Sequence, residues 1–194
     1  SGIIEKKRFT VETPAGIMEP EITVGADNKA KLITINMGRP SFNRSEIPME
    51  GADGRVLNED LCVDGENWKI TSLLMGVPHT VTYVDDVDTV DIEKIGPLFE
   101  KHEAFPKHTN INFAQQMDDR TVKVRTWERG AGATLACGTG SCSVAVASFL
   151  NGRTGREVDI QLPLGTLHIE YREEDGNVYM TGPAAVSFTG TWPD

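Results

Sequence analysis

Most of this chain consists of short runs in which apolar residues alternate with polar ones, and the apolar positions are rich in β-branched and aromatic side chains. Such runs predict β-strands. Because strand follows strand with little helix between, the pattern favours antiparallel sheet over βαβ units. The segment Leu162–Thr166, with its Pro and Gly, predicts a hairpin. The predicted strands are Arg8–Glu12, Lys31–Asn36, Trp68–Met75, Thr80–Asp85, Thr121–Trp127, Glu157–Leu162, Thr166–Arg172 and Asn177–Thr181.

Two segments have a helical pattern instead. The first spans about Asp91–His102, and Gly96-Pro97 should break or bend it because proline lacks the backbone donor. The second, Ser141–Leu150, ends at Asn151-Gly152 and is small and apolar nearly all round. That composition predicts a helix buried inside the sheet rather than lying on its surface. The expected fold class is therefore α+β, with mostly antiparallel sheet wrapped round a central helix.

The composition limits the classes of partner. The 194 residues are 39% hydrophobic and 25% charged, as in an ordinary soluble globular protein, and carry a net charge of −10. We expect no nucleic-acid partner because there is no basic surplus, and no membrane partner because no long apolar run is present. Three cysteines fit a reducing cytoplasm better than secretion. The chain opens without Met, at Ser1-Gly2, and reads as the interior of a domain, so we expect a fragment.

The segment with the clearest chemistry is Glu128–Cys142, ERGAGATLACGTGSC, which leads from a predicted strand into the buried helix. Its glycines allow positive φ angles and close approach of the backbone to a ligand. A helix that begins just after Gly140 presents unpaired N–H groups, which suit a carboxylate or a phosphate. Cys137 lies at the mouth of this site, and the same field should lower its pKa from about 8.5 towards neutrality. Glu128 and Arg129 add an acceptor and a carboxylate clamp.

The residues alone leave other interpretations open. Cys137 can be a small buried hydrophobe, as is expected of Cys62 and Cys142. A phosphate-binding loop also competes, although the segment lacks the Lys-Ser/Thr pair of a Walker loop and the glycine spacing of a dinucleotide fingerprint.

No metal site is predicted. The acidic residues Asp85, Asp86 and Asp88 lack the Gly and Glu positions of an EF-hand loop and read as a solvated helix entrance. The remaining histidines have no metal-ligand spacing and are expected at the surface; they are His102, His108 and His168.

Four segments together resemble the diaminopimelate epimerase family. ERGAGATLACGTGSC resembles the signature of the family's second catalytic cysteine, and Met75–His79, MGVPH, resembles its Met-Gly-Asn-Pro-His turn. Phe105-Pro106 followed by Thr109–Phe113 resembles its second substrate loop, and Met180–Ala184 its closing strand. Their order and separations match the family along most of the chain.

The resemblance implies a cofactor-free amino-acid isomerase. One cysteine removes the α-proton from one face of the amino acid and a second returns a proton to the other face. Groups at the substrate carboxylate must then stabilise the carbanion-like transition state electrostatically. The implied catalytic residues are Cys137 as the second cysteine, Glu128 tuning a thiol, and His79 adjusting the pKa of the other cysteine.

The same resemblance implies a set of substrate-binding residues. Gly138 and Thr139 match backbone donors to the α-carboxylate at the start of the helix. Glu128 and Arg129 match a substrate-binding pair, and Asn110 matches a side chain that contacts substrate.

The chain departs from the family pattern in three places. Val77 stands where the family has Asn, which removes a polar contact to substrate, and Ala133 replaces a Glu. The segment Gly-Asn-Gly-x-Arg-Cys, which carries the family's first cysteine, is absent, and Cys62 cannot replace it because it has neither a glycine nest nor a following helix.

The fold implied by the resemblance has two pseudo-symmetric domains, each a sheet wrapped round a central helix. Residues 38–182 are expected to form the complete second domain. Residues 1–37 and 183–194 would be strands of the first domain.

Three functions remain in view. The leading one is interconversion of LL- and meso-2,6-diaminopimelate for lysine and peptidoglycan synthesis in a bacterial cytoplasm, with the fragment inactive alone. Another cofactor-independent racemase or isomerase of the same fold is favoured only by Val77, and a non-catalytic module would bind a carboxylate at the Cys137 loop. We expect a small-molecule amino-acid substrate, and self-association as a homodimer with Phe188 in the contact.

Overall fold

The computed structural model describes residues 6–13, 16–26, 28–185 and 188–191. Two α-helices lie within these residues, α1 at Ile92–Glu100 and α2 at Gly138–Leu150, and a short 3-10 turn lies at Val87–Thr89. The strands, numbered along the chain, are β1 Val11–Thr13, β2 Gly16–Met18, β3 Glu21–Val24, β4 Ala30–Asn36, β5 Val56–Val63, β6 Glu66–Met75, β7 Val77–Tyr83, β8 Asn110–Gln116, β9 Thr121–Glu128, β10 Gly132–Thr134, β11 Glu157–Leu162, β12 Gly165–Tyr171 and β13 Val178–Gly182. The strand expected over 183–194 is not formed at residues 183–185 and 188–191, and the rest of that segment lies outside the described residues.

All strands from β3 to β13 belong to one sheet. Its order is β3-β4-β13-β12-β11-β9-β8-β7-β6-β5, with β10 paired to β9. Most neighbours are antiparallel, as expected, but β7 with β8 and β9 with β11 are parallel. The sheet is therefore mostly antiparallel, as the pattern favoured, but it contains parallel pairing at these two places, which the pattern did not predict. Each helix is the crossover between one parallel pair, because parallel neighbours cannot be joined by a tight turn.

The sheet encloses α2. This helix contacts β6, β7, β8, β9, β11, β12 and β13, and every residue from Gly140 to Ser148 is buried. The segment after β4 connects β13 to β6, the two strands at the ends of the part of the sheet that surrounds α2. The N–H of Met37 donates to the carbonyl of Val178 on β13, and the N–H of Ser41 donates to the carbonyl of Leu74 on β6. The predicted α+β class, with a central helix inside a nearly closed sheet, is confirmed.

The helix α1 packs on the outside of the sheet that surrounds α2, against β8, β9 and β10. Gly96-Pro97 was predicted to break or bend the helix, and it does not break it, because the helix runs through Pro97 to Glu100. Proline deprives only the carbonyl of Glu93 of its helical donor, and Glu93 is exposed, so water can take that place. The missing side chain of Gly96 instead lets the helix lie directly against Trp127.

Two long strands, β5 and β8, were not predicted from the sequence. In β5 the alternation is interrupted by a register shift between Val56 and Glu59, where Asn58 has a φ of 53°. In β8 the residues from Asn110 to Ala114 are all buried, so the strand lacks the alternation that marks a half-exposed one. The expected loop at Thr109–Phe113 is therefore mostly strand.

Within the described residues, no helix is long and apolar enough to cross a membrane.

Candidate active site

The site lies at one edge of the sheet because of the strand directions. The strands β7 and β8 are parallel and both begin at this edge, where His79 is in register with Asn110. The antiparallel β9 ends at the same edge, with Trp127 opposite Ile111 and Glu128 one residue beyond. The chain then continues through β10 into α2. Residues far apart in the sequence thus meet around the start of the buried helix.

Cys137 is the N-cap residue of α2. The helix begins at Gly138, three residues earlier than predicted, and Cys137 itself has an extended φ of −136°. Its Sγ accepts a hydrogen bond from the N–H of Gly140 at 3.3 Å, in the place where a Ser or Asp oxygen usually serves. The N–H groups of Gly138 and Thr139 belong to the first turn, where no carbonyl of the helix can accept them. The expected position of Cys137 at the helix start is observed.

The expected lowering of the Cys137 pKa is wrong for this chain. The residue is only 6% exposed, and burial raises the pKa of its thiol because a thiolate loses hydration there. Hydrogen bonds from Thr139 and Gly140 act in the opposite direction, while the nearby Glu128 carboxylate raises the pKa further. Burial is the largest of these effects on the Cys137 pKa, and a sequence does not reveal burial at a glycine-rich loop.

Glu128 faces the thiol from the end of β9. Its negative charge acts on Cys137 and raises the pKa of that thiol. The Oε1 atom also accepts a hydrogen bond of 2.6 Å from the Thr134 hydroxyl on the neighbouring β10. The short β9–β10 hairpin therefore holds the carboxylate towards the helix start.

His79 is completely buried beside the same helix start. Its Nε2 lies 3.0 Å from the Thr139 hydroxyl, and this hydroxyl lies 3.6 Å from the Sγ of Cys137. Burial lowers the pKa of His79 to about 3, and the positive charge of Arg129 lowers it too. The ring is therefore neutral at working pH, so it can relay or accept hydrogen bonds without carrying charge.

Asn110 and Arg129 are held by backbone contacts. The Asn110 amide donates to the carbonyl of Pro78 at 3.1 Å and accepts from the N–H of Arg129 at 2.7 Å. It thus ties the start of β7 to the residue after β9. The Arg129 guanidinium is exposed and donates to the carbonyl of Lys107 at 2.8 Å. The predicted site residues are all brought together at this edge.

Sequence reasoning missed two residues that support the site. Asn112 is fully buried, and its amide lies 3.3 Å from Nδ1 of His79. It sits two residues after Asn110, hence on the same face of a strand, a signal hidden by reading this segment as a loop. Glu100, at the end of α1, is also buried and accepts from the indole of Trp127 at 2.7 Å and from the N–H of Gly130 at 3.2 Å.

The other two cysteines differ from Cys137. Cys142 is fully buried within α2, and burial raises its pKa to about 12. Cys62 lies on β5 and is exposed, so the expectation that it is a buried hydrophobe is wrong.

The described residues contain no cluster of three or more His, Cys, Asp or Glu side chains arranged to hold a metal. Asp86 caps the short turn at Val87–Thr89, as its solvated entrance position predicts. A cavity of about 460 Å³ lies between α1 and the β5–β6 turn, away from Cys137, and its lining includes Asp64, Glu66, Trp68, Asp85, Asp91 and Lys94.

Comparison with known proteins decides the family. Residues 71–187 match the family model described as diaminopimelate epimerase. The chain is 48% identical over 192 residues to a protein of that name from Pelotomaculum thermopropionicum, an overlap of 99% of this chain and 68% of the relative. The chain belongs to the diaminopimelate epimerase family. Diaminopimelate epimerases from Heliobacterium modesticaldum and Methanococcus maripaludis match at 47% and 45% identity, over 99% and 96% of this chain and 68% and 67% of the relatives.

Solved structures agree on the fold. A hydroxyproline epimerase from Agrobacterium vitis, solved with trans-4-hydroxy-L-proline, superposes with a TM-score of 0.64 at 15% identity, over 93% of this chain and 58% of that one. A predicted epimerase from Pseudomonas aeruginosa superposes with a TM-score of 0.57 at 13% identity, over 94% and 67%. The chain spans about two thirds of the length of its named diaminopimelate epimerase relatives. Membership of the diaminopimelate epimerase family makes this an isomerase sequence.

Proposed function

We propose that this chain supplies one of the two thiols that interconvert LL- and meso-2,6-diaminopimelate, and that Cys137 is that thiol. The observation that carries the proposal is the Sγ of Cys137 at the N-cap of α2, bonded by the N–H of Gly140 and flanked by Glu128. A thiol so placed can exchange a proton with a carbon bound at the helix terminus.

The substrate carboxylate would bind at the first turn of α2. The N–H groups of Gly138 and Thr139 point a partial positive charge outward from this turn, and the exposed guanidinium of Arg129 adds a full charge. Negative charge that develops on the carboxylate as the α-proton leaves would be stabilised by these groups. Asn110 would act mainly by holding Arg129 and the start of β7 together, with its spare amide proton available to substrate.

Proton transfer at Cys137 fits its surroundings. The thiolate is the base that takes the α-proton, and the thiol returns a proton in the reverse direction. Burial makes the thiolate a stronger base once formed, because its pKa is raised. Glu128, whose charge acts on the thiol, would accept its proton before the reaction begins.

The thiol for the opposite face would come from a segment other than these 194 residues. Cys142 is enclosed within α2, and Cys62 lies on β5, at the end of the strand order and three strands beyond β8. On this proposal neither cysteine acts on the substrate. On this proposal residues 38–182 form one domain of the enzyme, and residues 1–37 and 183–194 complete the other. The enzyme would work in the cytoplasm without a cofactor. It would form a homodimer, for which the 83% exposed Phe188 is the candidate contact.

A related racemase is the second candidate, favoured by Val77. This residue directly follows the turn at Gly76, which has a φ of 72°, and lies two residues before His79 at the site edge. An apolar side chain there offers no hydrogen bond to the distal polar groups of diaminopimelate.

The test uses a protein in which this chain is joined to the family's Gly-Asn-Gly-x-Arg-Cys region. It is incubated with LL-diaminopimelate in D₂O, and the α-proton is followed by NMR. The joined protein should exchange the α-proton and form the meso isomer, whereas the 194 residues alone should do neither. Cys137→Ala should lower the rate by about 10²–10⁴-fold, and Cys62→Ser should leave it unchanged. Undiminished turnover by Cys137→Ala would refute the assignment, and turnover of another amino acid alone would favour the second candidate.

A further inference from the structure

The side chain of Asn112 has a defined orientation between β7, β9 and α2. Its Nδ2 lies 3.0 Å from the backbone carbonyl of Thr80, which can only accept a hydrogen bond. Its Oδ1 lies 3.0 Å from the hydroxyl of Thr126, which donates to it. These two contacts place the nitrogen, and therefore the donor, on the side of His79.

The amide orientation decides the tautomer of His79. The Nδ2 of Asn112 lies 3.3 Å from Nδ1 of the ring. Because Nδ2 is a donor, Nδ1 must accept, and the single proton of the neutral ring resides on Nε2. Complete burial keeps the ring neutral, so the doubly protonated form does not compete.

The tautomer in turn orients a hydroxyl towards the catalytic sulfur. The Nε2–H of His79 points at the Thr139 hydroxyl, 3.0 Å away, which must therefore accept. This leaves the hydroxyl proton of Thr139 free to donate to the Sγ of Cys137, 3.6 Å away. The sulfur then receives two donors, this hydroxyl and the N–H of Gly140.

A second observation ties Asn112 to the same turn of helix. A Cβ on Gly140 would lie 2.6 Å from the Oδ1 of Asn112 and 3.1 Å from the Sγ of Cys137. Only glycine lets the amide and the sulfur both contact this turn. Asn112 thus packs directly behind the cap that holds the thiol.

We propose that Asn112 is a positioning residue for Cys137, acting through the tautomer of His79 and the hydroxyl of Thr139. This inference rests on the proposed function, in which Cys137 transfers the proton. Two donors at the sulfur favour the thiolate and oppose the effect of burial. The chain of contacts makes the base available without placing a positive charge beside it.

Other groups also act on this thiol and must be considered in a pH profile. Glu128 faces the sulfur from the end of β9, and Cys142 interacts with it from within α2. Arg129 places its charge near His79 from the loop after β9. A pH profile of one variant therefore cannot identify the relay, and a pair of variants with their double mutant is needed.

The experiment measures reactivity and tautomer in the Cys62→Ser background, which removes the exposed thiol. The probe is methyl methanethiosulfonate, a small thiol reagent, applied across pH, and nitrogen–proton NMR of the imidazole identifies which ring nitrogen carries the proton. Asn112→Asp exchanges the donor for an acceptor of nearly equal size. Thr139→Val removes the hydroxyl and keeps the branched shape.

The starting protein should show the His79 proton on Nε2, and Asn112→Asp should move it to Nδ1. Both Asn112→Asp and Thr139→Val should slow modification of Cys137 at neutral pH about tenfold, the loss of one hydrogen bond to a charged acceptor. Modification of Cys137 in the double mutant should be no slower than in either single mutant. Additive slowing would instead mean that the negative charge introduced by Asn112→Asp, and not the relay, affects the thiol, and would overturn the proposal.

Should Asn112→Asp fail to fold, Asn112→Leu replaces it and should leave the ring as a mixture of tautomers with slowed modification. A proton on Nδ1 in the starting protein, or unchanged modification in both Asn112 variants, overturns the proposal. Neither readout needs turnover. If the joined protein requires Cys137 but Asn112 variants leave its reactivity unchanged, the relay alone fails; if the coupling is found without epimerisation, the proposed function alone fails.

Discussion

The two helices of this chain begin in the same way with different chemistry. In α1 the carboxylate of Asp91 accepts from the N–H of Lys94 at 3.3 Å, and in α2 the sulfur of Cys137 accepts from the N–H of Gly140 at 3.3 Å. The α1 cap is an exposed carboxylate, an ordinary stabilising choice. The α2 cap is a buried thiol, a weak acceptor. A weak acceptor at a cap position, where Ser or Asp is preferred, therefore points to a functional role for that residue.

The helices also serve the site from opposite ends. The helix α2 brings its positive N-terminal end to the site, inside the sheet. The helix α1 lies outside and reaches the site with its last residue, Glu100, whose buried carboxylate holds Trp127 and Gly130. One helix thus supplies the reacting group and the other fixes the loop that carries Glu128 and Arg129.

The largest predicted effect is on the pH dependence of folding stability, and it arises at His79 beside the start of α2. The His79 pKa in the folded state is about 3, below the ordinary value of 6.5, so the unfolded chain takes up the proton first as the pH falls. The part of the free energy of unfolding that depends on a neutral His79 is fully present above about pH 6.5. It is lost as the pH falls towards 3, at about 1.4 kcal/mol per pH unit. His79→Gln should destabilise at neutral pH through lost contacts, and that deficit should shrink as the pH falls. Urea unfolding across this range measures it, and a constant deficit would contradict it.

The next largest effect concerns the contact of α1 with the sheet. Gly96→Ala would place a Cβ within 2.6 Å of the indole of Trp127, and we expect a loss of about 1–3 kcal/mol despite alanine's better helix propensity. Gly155→Ala is the matched control, since its Cβ would meet nothing within 4 Å. Chemical denaturation of both variants provides the measurement. Equal stability of the two would show that Trp127 moves aside freely.

A smaller effect is expected at the cap of α1. Asp91→Ala removes the acceptor for the N–H of Lys94 and should lower the free energy of unfolding by about 1 kcal/mol. Asp91→Ser, which keeps a capping oxygen, should recover most of this loss. The reactivity of Cys137 should be the same in both variants. Altered thiol reactivity would mean that the two helix ends are coupled.

The smallest effect on stability is expected at the cap of α2. Cys137→Ser substitutes a better capping oxygen but buries a more polar group, and we expect a change of about 0.5 kcal/mol or less in the free energy of unfolding. The thiol chemistry should nevertheless disappear. A loss as large as that of Asp91→Ala would show that the sulfur is needed for stability, and the contrast between the two caps would fail.

Much of the fold could be predicted from local pattern. Half-exposed strands such as Glu157–Leu162 show the alternation of their two faces, and the apolar composition of α2 predicted its enclosure. The strand β8 could not be found this way, because a strand buried on both faces has no alternation. Nor could the passage of α1 through Pro97, because it depends on the solvent around Glu93 and on Trp127 beside Gly96.

The sequence by itself determined which residue types are available for chemistry: a cysteine before a glycine-rich helix start, Glu128-Arg129 before it, and the motifs that assign the family. Only the tertiary structure decided the protonation and the hydrogen bonding of the residues at this site. Burial of Cys137 raises a pKa that the helix terminus alone would lower, and burial of His79 keeps its ring neutral. The tertiary structure also placed Asn112 beside His79, 33 residues away in the chain, where it orients the imidazole ring. Hydration and hydrogen-bond direction depend on neighbours from distant segments, and these become neighbours only when the sheet closes round α2.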